Sequence, residues 1–338
     1  MWTWSDSELD RLGRFLAARG LCGPTVTATA IGDGHSNLTF LVSDGSSQVV
    51  VRRPPPPPLP PGVHDVLREA TLLTALAETP VPTPRVLATA AAGQLLDVPI
   101  LVMDFVDGVV ITKSTPAPAD DEGVRRRIAE SLVDTLAALH TVPWREVGLD
   151  GFGKPEGFNA RQLRRMRSLV AVDETVPKSF AALDDWLHAH LPPESGTAIV
   201  HNDFRIGNMI VDPENGGVAA VLDWELATIG DPLADLGYLL TSYPVPGDPL
   251  VPTSAMGTAV LEPGYPKRTE LLDRYADHTG ADVSEVNWYA TLAMYKLAAL
   301  YEYSRRRFRV GGGDPYYADP ELVTSFLAAG ERLAGALT

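Results

Sequence analysis

The chain has 338 residues, more than the roughly 250–300 at which one hydrophobic core stops growing, so we expect two lobes. Hydrophobic residues make up 45% and charged residues 21%, which is typical of a folded globular protein and excludes a disordered or fibrous chain. The 28 basic and 43 acidic residues give a net charge of −15, which argues against nucleic acid or an anionic membrane surface as a partner.

Cellular location is also constrained by the sequence. No apolar run approaches the ~18 residues of a membrane span, and the first residues lack the basic and apolar segments of a secretion signal. The single cysteine, Cys22, excludes an internal disulfide. These features predict a cytoplasmic protein.

The first hundred residues predict an antiparallel sheet with helices. Helical spacing of apolar residues begins after Ser5 and stops at Gly20, and strand-like runs follow at residues 25–31, 38–43 and 48–53. A proline run then leads to a helical pattern at residues 63–77 and a further strand at 100–106. We place the lobe boundary there, with one lobe at 1–106 and the other at 107–338.

The second lobe reads as mainly helical. Short apolar runs at residues 197–200, 208–211 and 218–223 interrupt the helical patterns and end in polar residues. The predicted helices lie at 124–140, 161–170, 180–190, 232–240, 269–278, 284–303 and 320–333. The fold class is therefore α+β with two lobes, a smaller sheet-containing lobe and a larger helical one.

The segment HNDFRIGN at residues 201–208 is the most informative part of the sequence. Its Asp203 and Asn208, with Asp223 fifteen residues later, fit the pattern H-x-D-x-x-x-x-N followed by D. Phosphoryl transfer needs a carboxylate that accepts the proton of the acceptor hydroxyl and oxygen ligands for Mg²⁺. Arg205 could neutralise charge on the transferring group. The plain alternative is that these residues only form turns in a loop between strands.

Residues upstream occur in the order that a nucleotide site requires. Gly32 and Gly34 lie between two strand runs, arginines end the third run, and Glu69 lies in the following helical pattern. Each feature alone favours a simple interpretation, namely a hairpin, a solvated cation and a surface carboxylate. Their joint order favours a phosphate-covering loop, a phosphate-binding cation and its orienting carboxylate.

The chain resembles the aminoglycoside phosphotransferase-like kinases, in the branch that includes kinase domains fused to acyl-CoA dehydrogenases. The motifs that carry the resemblance are IGDGHSNLTF, VVVRRPPPP, REATLL, VMDFVDG, LAALH, HNDFRIGNMI and VLDWELATIGDPLADLGYLL. It implies a protein-kinase-like fold that binds ATP or GTP with Mg²⁺. It also implies that Asp203 is the base, that Asn208 and Asp223 hold the metal, and that Glu69 is the partner of the strand cation.

The resemblance further implies the nucleotide contacts. The adenine would lie against the connector formed by Asp104, Phe105 and Val106, and a glycine-containing loop would cover the phosphates. The loop residues implied are Gly32, Gly34, Ser36 and Asn37.

The sequence departs from the usual kinase pattern at two places. Arg52 and Arg53 stand where most such folds have a lysine, and strand alternation lets only one of them face the nucleotide. We assign Arg52, because the resemblance aligns the R-x-P pattern there and Arg53 adjoins the proline run. Asp223 is followed by Trp-Glu, so Glu225 is either a further polar group near the metal or a surface glutamate.

Other polar residues, several of them within these motifs, have simpler interpretations. Asp231 and Pro232 read as an N-cap and first-turn proline, and Asp235 as a partner of the catalytic loop. His140 is interpreted as structural. The arginines at 305–309 read as the basic end of a helix.

Three classes of function remain open on the residues. The first is a kinase of a small hydroxylated molecule, for which the resemblance favours a hydroxyacyl compound as acceptor, with an aminoglycoside as the alternative. The second is a catalytically inactive kinase fold that binds nucleotide. The third is a metal-dependent hydrolase using His188, His190, His201 and Asp203, although residues two apart on a helix point to different faces. The sequence does not predict an oligomeric state.

Overall fold

The computed structural model describes residues 4–32, 37–55, 64–173 and 175–335. Contacts divide the chain into two compact units, the first running to Asp107 and the second beginning at Gly108. Residues Ala219–Glu225 group with the first unit, whereas the sequence assigns them to the second lobe. A short segment can change units in this way because long-range contacts, which local patterns do not encode, decide where it packs.

The first unit contains a five-stranded antiparallel sheet. Its strand order is β1-β2-β3-β5-β4, and β2 and β3 coincide with the predicted runs. The strands are β1 Thr27–Ala30, β2 Leu38–Ser43, β3 Gln48–Arg53, β4 Val86–Ala90 and β5 Ile100–Asp104. Strand β4 is not predicted from the sequence, because it is a mostly half-buried edge strand that directly follows a proline cluster.

Two helices complete the first unit. Helix α1, Asp6–Ala17, begins with a capping box in which Ser5 and Glu8 bond each other's backbone amides. Its Leu12 and Leu16 are fully buried in the same core cluster as the sheet. Helix α2, Val66–Leu76, begins at the N-cap Asp65.

The second unit is mainly helical. Its helices are α3 Glu122–Thr141, α4 Phe158–Val170, α5 Lys178–Ala189, α6 Leu233–Ser242, α7 Pro252–Ala255, α8 Arg268–Thr279, α9 Val286–Arg309 and α10 Pro320–Gly335. The short strands are β6 Val109–Val110, β7 Ala198–Val200, β8 Met209–Val211, β9 Val218–Val221 and β10 Thr228–Gly230, of which β9 spans the division between the units. No helix in the described ranges is both long and apolar enough to cross a bilayer.

Helix α9 is the central element of the second unit, packing against α4, α6 and α10. Its approach to α6 is close at Gly237, where an added Cβ would lie 2.6 Å from the carbonyl carbon of Tyr289. A side chain at this crossing would therefore force α6 and α9 apart. The close packing fixes α6, and with it the polar side chains that α6 carries.

Candidate active site

Arg52 lies at the centre of an ion-pair cluster in the first unit. Its Nη1 donates to Glu69 Oε1 at 2.6 Å, and its Nη2 donates to Asp223 Oδ1 at 2.8 Å. The same Nη2 lies 3.9 Å from Glu225 Oε2. The arginine side chain is 10% exposed and that of Asp223 is 38% exposed. In the chain, Glu69 is 17 positions from Arg52 and Asp223 is 171 positions from it. The structure thus brings together residues that are distant in sequence.

Arg53 lies on the opposite face of β3. Its Nη1 is 3.4 Å from Glu8 Oε1, and its guanidinium lies over the ring of Trp4, 5.1 Å from the ring centroid. Arg53 therefore contributes to the packing of α1, while Arg52 belongs to the Glu69 cluster.

Glu69 is buried, with 2% of the residue exposed. Burial raises the pKa of Glu69 to about 7, in opposition to the nearby Arg52 charge, and the Asp223 and Glu225 carboxylates act in the same direction as burial. A change in the charge of Asp223 would therefore shift the pKa of Glu69.

Asn37 also belongs to this part of the first unit. It is 3% exposed, and its Nδ2 donates to Glu225 Oε2 at 3.0 Å. Gly32 has a φ of +80°, a conformation that favours glycine. The predicted contacts Gly34 and Ser36 lie outside the described residues.

The connector residues follow β5. Asp104 accepts from the Arg85 backbone amide at 2.7 Å and from Arg85 Nε at 3.0 Å. Its side chain is thus engaged in the sheet, while Phe105 and Val106 are partly exposed.

Asp203 in the second unit is held by several donors. Asn208 Nδ2 donates to its Oδ2 at 2.8 Å, and the hydroxyl of Tyr238 donates to its Oδ1. Arg205 Nε lies 3.6 Å from Oδ1. Burial and the adjacent Asp203 raise the pKa of Tyr238 well above its usual value, so its hydroxyl remains a donor at neutral pH. The Asp203 carboxylate is therefore oriented.

Asp235 of α6 holds the backbone that precedes Asp203. Its two carboxylate oxygens accept from the amides of His201 at 2.6 Å and Asn202 at 2.7 Å. His140 Nε2 approaches at 3.4 Å. Burial acts to raise the pKa of Asp235, but these contacts with the two histidines hold it below its usual value.

Asp231 is a fully buried acceptor at the start of α6. It accepts from the amide of Leu233 at 3.1 Å, from Asn159 Nδ2 at 3.0 Å and from the hydroxyl of Tyr289 at 2.7 Å. It also accepts from Ser195. The N-cap of α6 is Pro232, one residue after the predicted position, and Asp231 connects α4, α6 and α9 through these hydrogen bonds.

Lys296 of α9 contacts the loop that contains Asn202 and Asp203. Its Nζ donates to Asn202 Oδ1 at 3.0 Å, and Asn202 Nδ2 in turn donates to the carbonyl of Leu226 at 3.0 Å. Burial lowers the pKa of Lys296 to about 8, against the attraction of Asp235 and Asp203.

The sequence did not indicate Tyr238, and it indicated Lys296 only as one of the cations in the segment 284–310, which was expected on the acceptor side. Tyr238 follows Asp235 by three positions, a spacing that places both on one helix face. Lys296 is the one charged residue between Glu285 and Glu302. Both signals were available, but helix pattern alone does not show which buried polar residue meets which loop.

Other candidate residues are engaged elsewhere. His188 Nδ1 and His190 Nδ1 lie 2.7 and 2.8 Å from the carbonyl oxygens of Asp184 and Trp186, one turn earlier. Arg305 and Arg306 pair with Glu302 at 2.7 and 2.8 Å. The arginines at the end of α9 are therefore partly neutralised.

The family model of the phosphotransferase enzyme family matches residues 27–279. The chain therefore belongs to this family, whose members include kinases of small molecules. The fold is that of the aminoglycoside phosphotransferases: a protein of Ralstonia eutropha assigned to that group has a TM-score of 0.80 at 27% identity, covering 96% of this chain and 98% of that one. The resemblance and the fold class predicted from the sequence are confirmed.

Curated relatives include acyl-CoA dehydrogenase family member 10 of Mus musculus, 30% identical, and member 11 of Rattus norvegicus, 32% identical. These matches cover 82% and 85% of this chain but 26% and 37% of the relatives. The chain thus spans about a quarter to two-fifths of the length of these relatives. A further solved structure, aminoglycoside phosphotransferase APH(4)-Ia with AMP-PNP and hygromycin B, shares the fold at 16% identity and a TM-score of 0.64, covering 97% of this chain and 99% of that one.

Proposed function

We propose that this protein transfers the γ-phosphoryl group of ATP to a hydroxyl of a small molecule, and that the acceptor is a hydroxyacyl compound. The observation that carries the proposal is the Asp203 carboxylate, oriented by Asn208 and Tyr238 and approached by Arg205. Family membership supports the reaction class.

Asp203 acts as the base. It accepts the proton of the acceptor hydroxyl as that oxygen bonds to the γ-phosphorus, while the bond from phosphorus to the ADP oxygen breaks. For this role the carboxylate must keep its position, and the Asn208 amide and the Asp235 contacts to the loop backbone provide it. Arg205 stabilises the negative charge on the transferring group.

The donor set suits Mg²⁺. Asn208 directs its amide nitrogen to both the carbonyl and the carboxylate of Asp203, which turns its amide oxygen away from that residue. Asp223 is a partly exposed carboxylate with a φ of +65°. Oxygen atoms of this kind are the ligands that Mg²⁺ prefers, so we assign Asn208 and Asp223 as its ligands, with Glu225 near Asp223. The bound metal would neutralise charge on the phosphates.

Arg52 is the phosphate-binding cation in this proposal. A guanidinium binds phosphate oxygens with two donors in a plane, so it can replace the more usual lysine. Glu69 orients it through the 2.6 Å bond. The remaining nucleotide contacts proposed are Gly32, Gly34, Ser36, Asn37 and the backbone of 104–106. ATP is the first choice as donor and GTP the alternative.

The acceptor class rests on the relatives. Two proteins named as acyl-CoA dehydrogenase family members share 30% and 32% identity with over four-fifths of this chain. A kinase that accompanies a dehydrogenase of acyl compounds would act on a hydroxyl of such a compound. Aminoglycosides are the alternative acceptors, favoured by the 27% identity with the Ralstonia eutropha protein.

Asp203→Asn tests the reaction. The asparagine cannot accept the hydroxyl proton, so we expect transfer to fall by roughly 10²–10⁴-fold while ATP affinity changes little. Turnover should be measured with hydroxyacyl compounds, free hydroxy acids and aminoglycosides, and affinity by calorimetry. A mutant retaining more than a third of the wild-type rate, with chemistry limiting, would contradict the role. Absence of nucleotide turnover in the wild type would instead favour the inactive binding module.

A further inference from the structure

We infer that Lys296 is a specificity-determining residue that binds an acyl oxygen of the acceptor, either a carboxylate oxygen or a thioester carbonyl, beside the hydroxyl to be phosphorylated. This inference rests on the proposed function, because it concerns the acceptor of the same reaction. It adds one residue and one chemical requirement that the family motifs do not contain.

Lys296 has donors to spare. Among the described residues, the Lys296 ammonium donates one hydrogen bond, to Asn202 Oδ1 at 3.0 Å. An ammonium has three N–H donors, so two remain for a ligand. Asn202 precedes Asp203 in the chain, so the lysine meets the loop one residue from the base.

The side chain also lines a small cleft within the second unit. Tyr238, which donates to Asp203, and Asn202 line the same cleft, and its apolar wall includes Phe158 and Leu292. Of the cleft residues in the described part of the chain, Lys296 alone is charged. The cleft has a volume of about 20 Å³, room for about one water-sized group, so it suits a single acyl oxygen at the ammonium.

Desolvation explains why an acyl oxygen would bind. The pKa of Lys296 is lowered to about 8 by burial, so its positive charge is poorly solvated at neutral pH. The charged groups acting on it are Asp235, Asp203 and Arg165. A ligand oxygen would restore the lost solvation, whereas a cationic ligand would add repulsion at this position.

The competing explanation is that Lys296 only positions Asn202. Both explanations predict a slower enzyme when the lysine is removed, but they differ in which acceptors are affected. If Lys296 only holds the loop, every acceptor is slowed by the same factor. If it binds an acyl oxygen, the loss is confined to acceptors that have one.

The test uses Lys296→Met and Lys296→Gln in the full chain, the latter retaining an N–H donor for Asn202. The acceptors are 3-hydroxybutyrate, its coenzyme A thioester and 2-butanol, which carries the same secondary hydroxyl without the acyl group. We expect each variant to lower kcat/KM for the acyl acceptors by about 10- to 100-fold, the effect of losing one hydrogen bond to a charged group. The effect on 2-butanol should stay within about threefold.

The pH profile provides a second readout. In the wild type, kcat/KM for 3-hydroxybutyrate should fall as pH rises through about 8, because the ammonium loses its charge, and this fall should be absent in Lys296→Met.

The control is Arg309→Met, which removes an exposed cation from the same helix and should leave kcat/KM for all three acceptors unchanged. Comparison of the free acid with the thioester identifies which acyl form is preferred.

Several outcomes overturn the inference. Equal loss for all three acceptors in both Lys296 variants would reduce the lysine to a loop-positioning residue. A wild type that uses 2-butanol as well as the acyl acceptors, or that transfers to none of them while Asp203→Asn still abolishes its nucleotide hydrolysis, would also overturn it. If instead wild type and Asp203→Asn transfer phosphate and hydrolyse nucleotide at the same rates, the result contradicts the proposed function itself.

Discussion

Adjacent arginines at the end of β3 have different environments. Arg52 pairs with Glu69 and Asp223, and Arg53 meets Glu8 and Trp4. Strand alternation predicts that the two point to opposite faces, but not which face holds the carboxylates. That choice depends on where α2 and the segment containing Asp223 pack.

We predict that Arg52→Ala raises the KM for ATP at least tenfold, because it removes a charge-assisted pair of donors to phosphate. Arg53→Ala should change the KM by less than about threefold and lower the melting temperature, since Arg53 is 3% exposed and packs against α1. Arg52→Lys keeps the positive charge but removes the planar pair of donors, so it separates the effect of charge from that of geometry. Steady-state kinetics and thermal unfolding of the three variants check this, and a larger KM effect for Arg53→Ala would move the phosphate role to that residue.

Glu69 predicts a pH dependence of stability. Its pKa is raised from 4.5 to about 7 in the folded protein, so the native state binds more protons than the unfolded state between these values. The contribution of Glu69 to stability is therefore fully present below about 4.5 and is lost as pH rises through about 7.

Glu69→Gln removes this titration, so the difference in unfolding free energy between wild type and mutant should change between pH 5 and 8. Urea unfolding at several pH values measures it. Parallel pH curves for the two proteins would show that the pKa of Glu69 is not raised in the native state.

Helix α6 shows how one element can supply several parts of a site. Asp235 holds the backbone at 201–202, Tyr238 donates to Asp203, and Gly237 lets the helix lie against α9. The sequence predicts the helix and the role of Asp235. The contact of Tyr238 depends on the rotation of α6, which its packing against α9 sets.

Gly237→Ala should destabilise the protein by about 1–3 kcal/mol, the usual cost of overpacking, because the new Cβ would lie 2.6 Å from a backbone carbon of Tyr289. Gly335→Ala is the matched control, since no atom of another part of the described structure lies within 4 Å of its added Cβ. Equal unfolding midpoints for Gly237→Ala and wild type would show that the two helices can separate without cost. A second consequence of the shifted helix is a slower Asp203-dependent reaction.

At the scale of the whole molecule, net charge and local charge favour different acceptors. The net charge of −15 attracts polycations such as aminoglycosides. Exposed charges farther away than the Debye length of about 8 Å are screened at physiological salt, so the groups near Asp203 decide. These groups include the cations Arg205 and Lys296 and the carboxylate of Asp235, which already accepts from the backbone amides of His201 and Asn202.

We therefore predict that aminoglycosides are poor acceptors and that hydroxyacyl compounds are good ones. Steady-state kinetics on kanamycin, hygromycin B and hydroxyacyl-CoA compounds at two salt concentrations check this, with 3-hydroxybutyrate as a small anionic reference. Efficient phosphorylation of an aminoglycoside at micromolar KM, with no transfer to the acyl compounds, would contradict the prediction.

The family, the fold class and most of the secondary structure could be predicted from the sequence alone. Local patterns suffice for these, because amphipathic spacing and turn residues act over a few positions, as in β2 and β3, whose bounds match the predicted runs. The spacing from His201 to Asn208 likewise marks the candidate catalytic segment without any tertiary information.

Which polar residues contact each other could not be predicted without the tertiary structure. Arg52 and Asp223 are 171 positions apart, and Lys296 and Asn202 are 94 apart. Such pairs form because packing of apolar faces fixes the elements, and the polar groups they carry must then be satisfied by whatever lies opposite. A local pattern shows that a residue is polar and where it lies on its helix, but its partner is set by the rest of the chain.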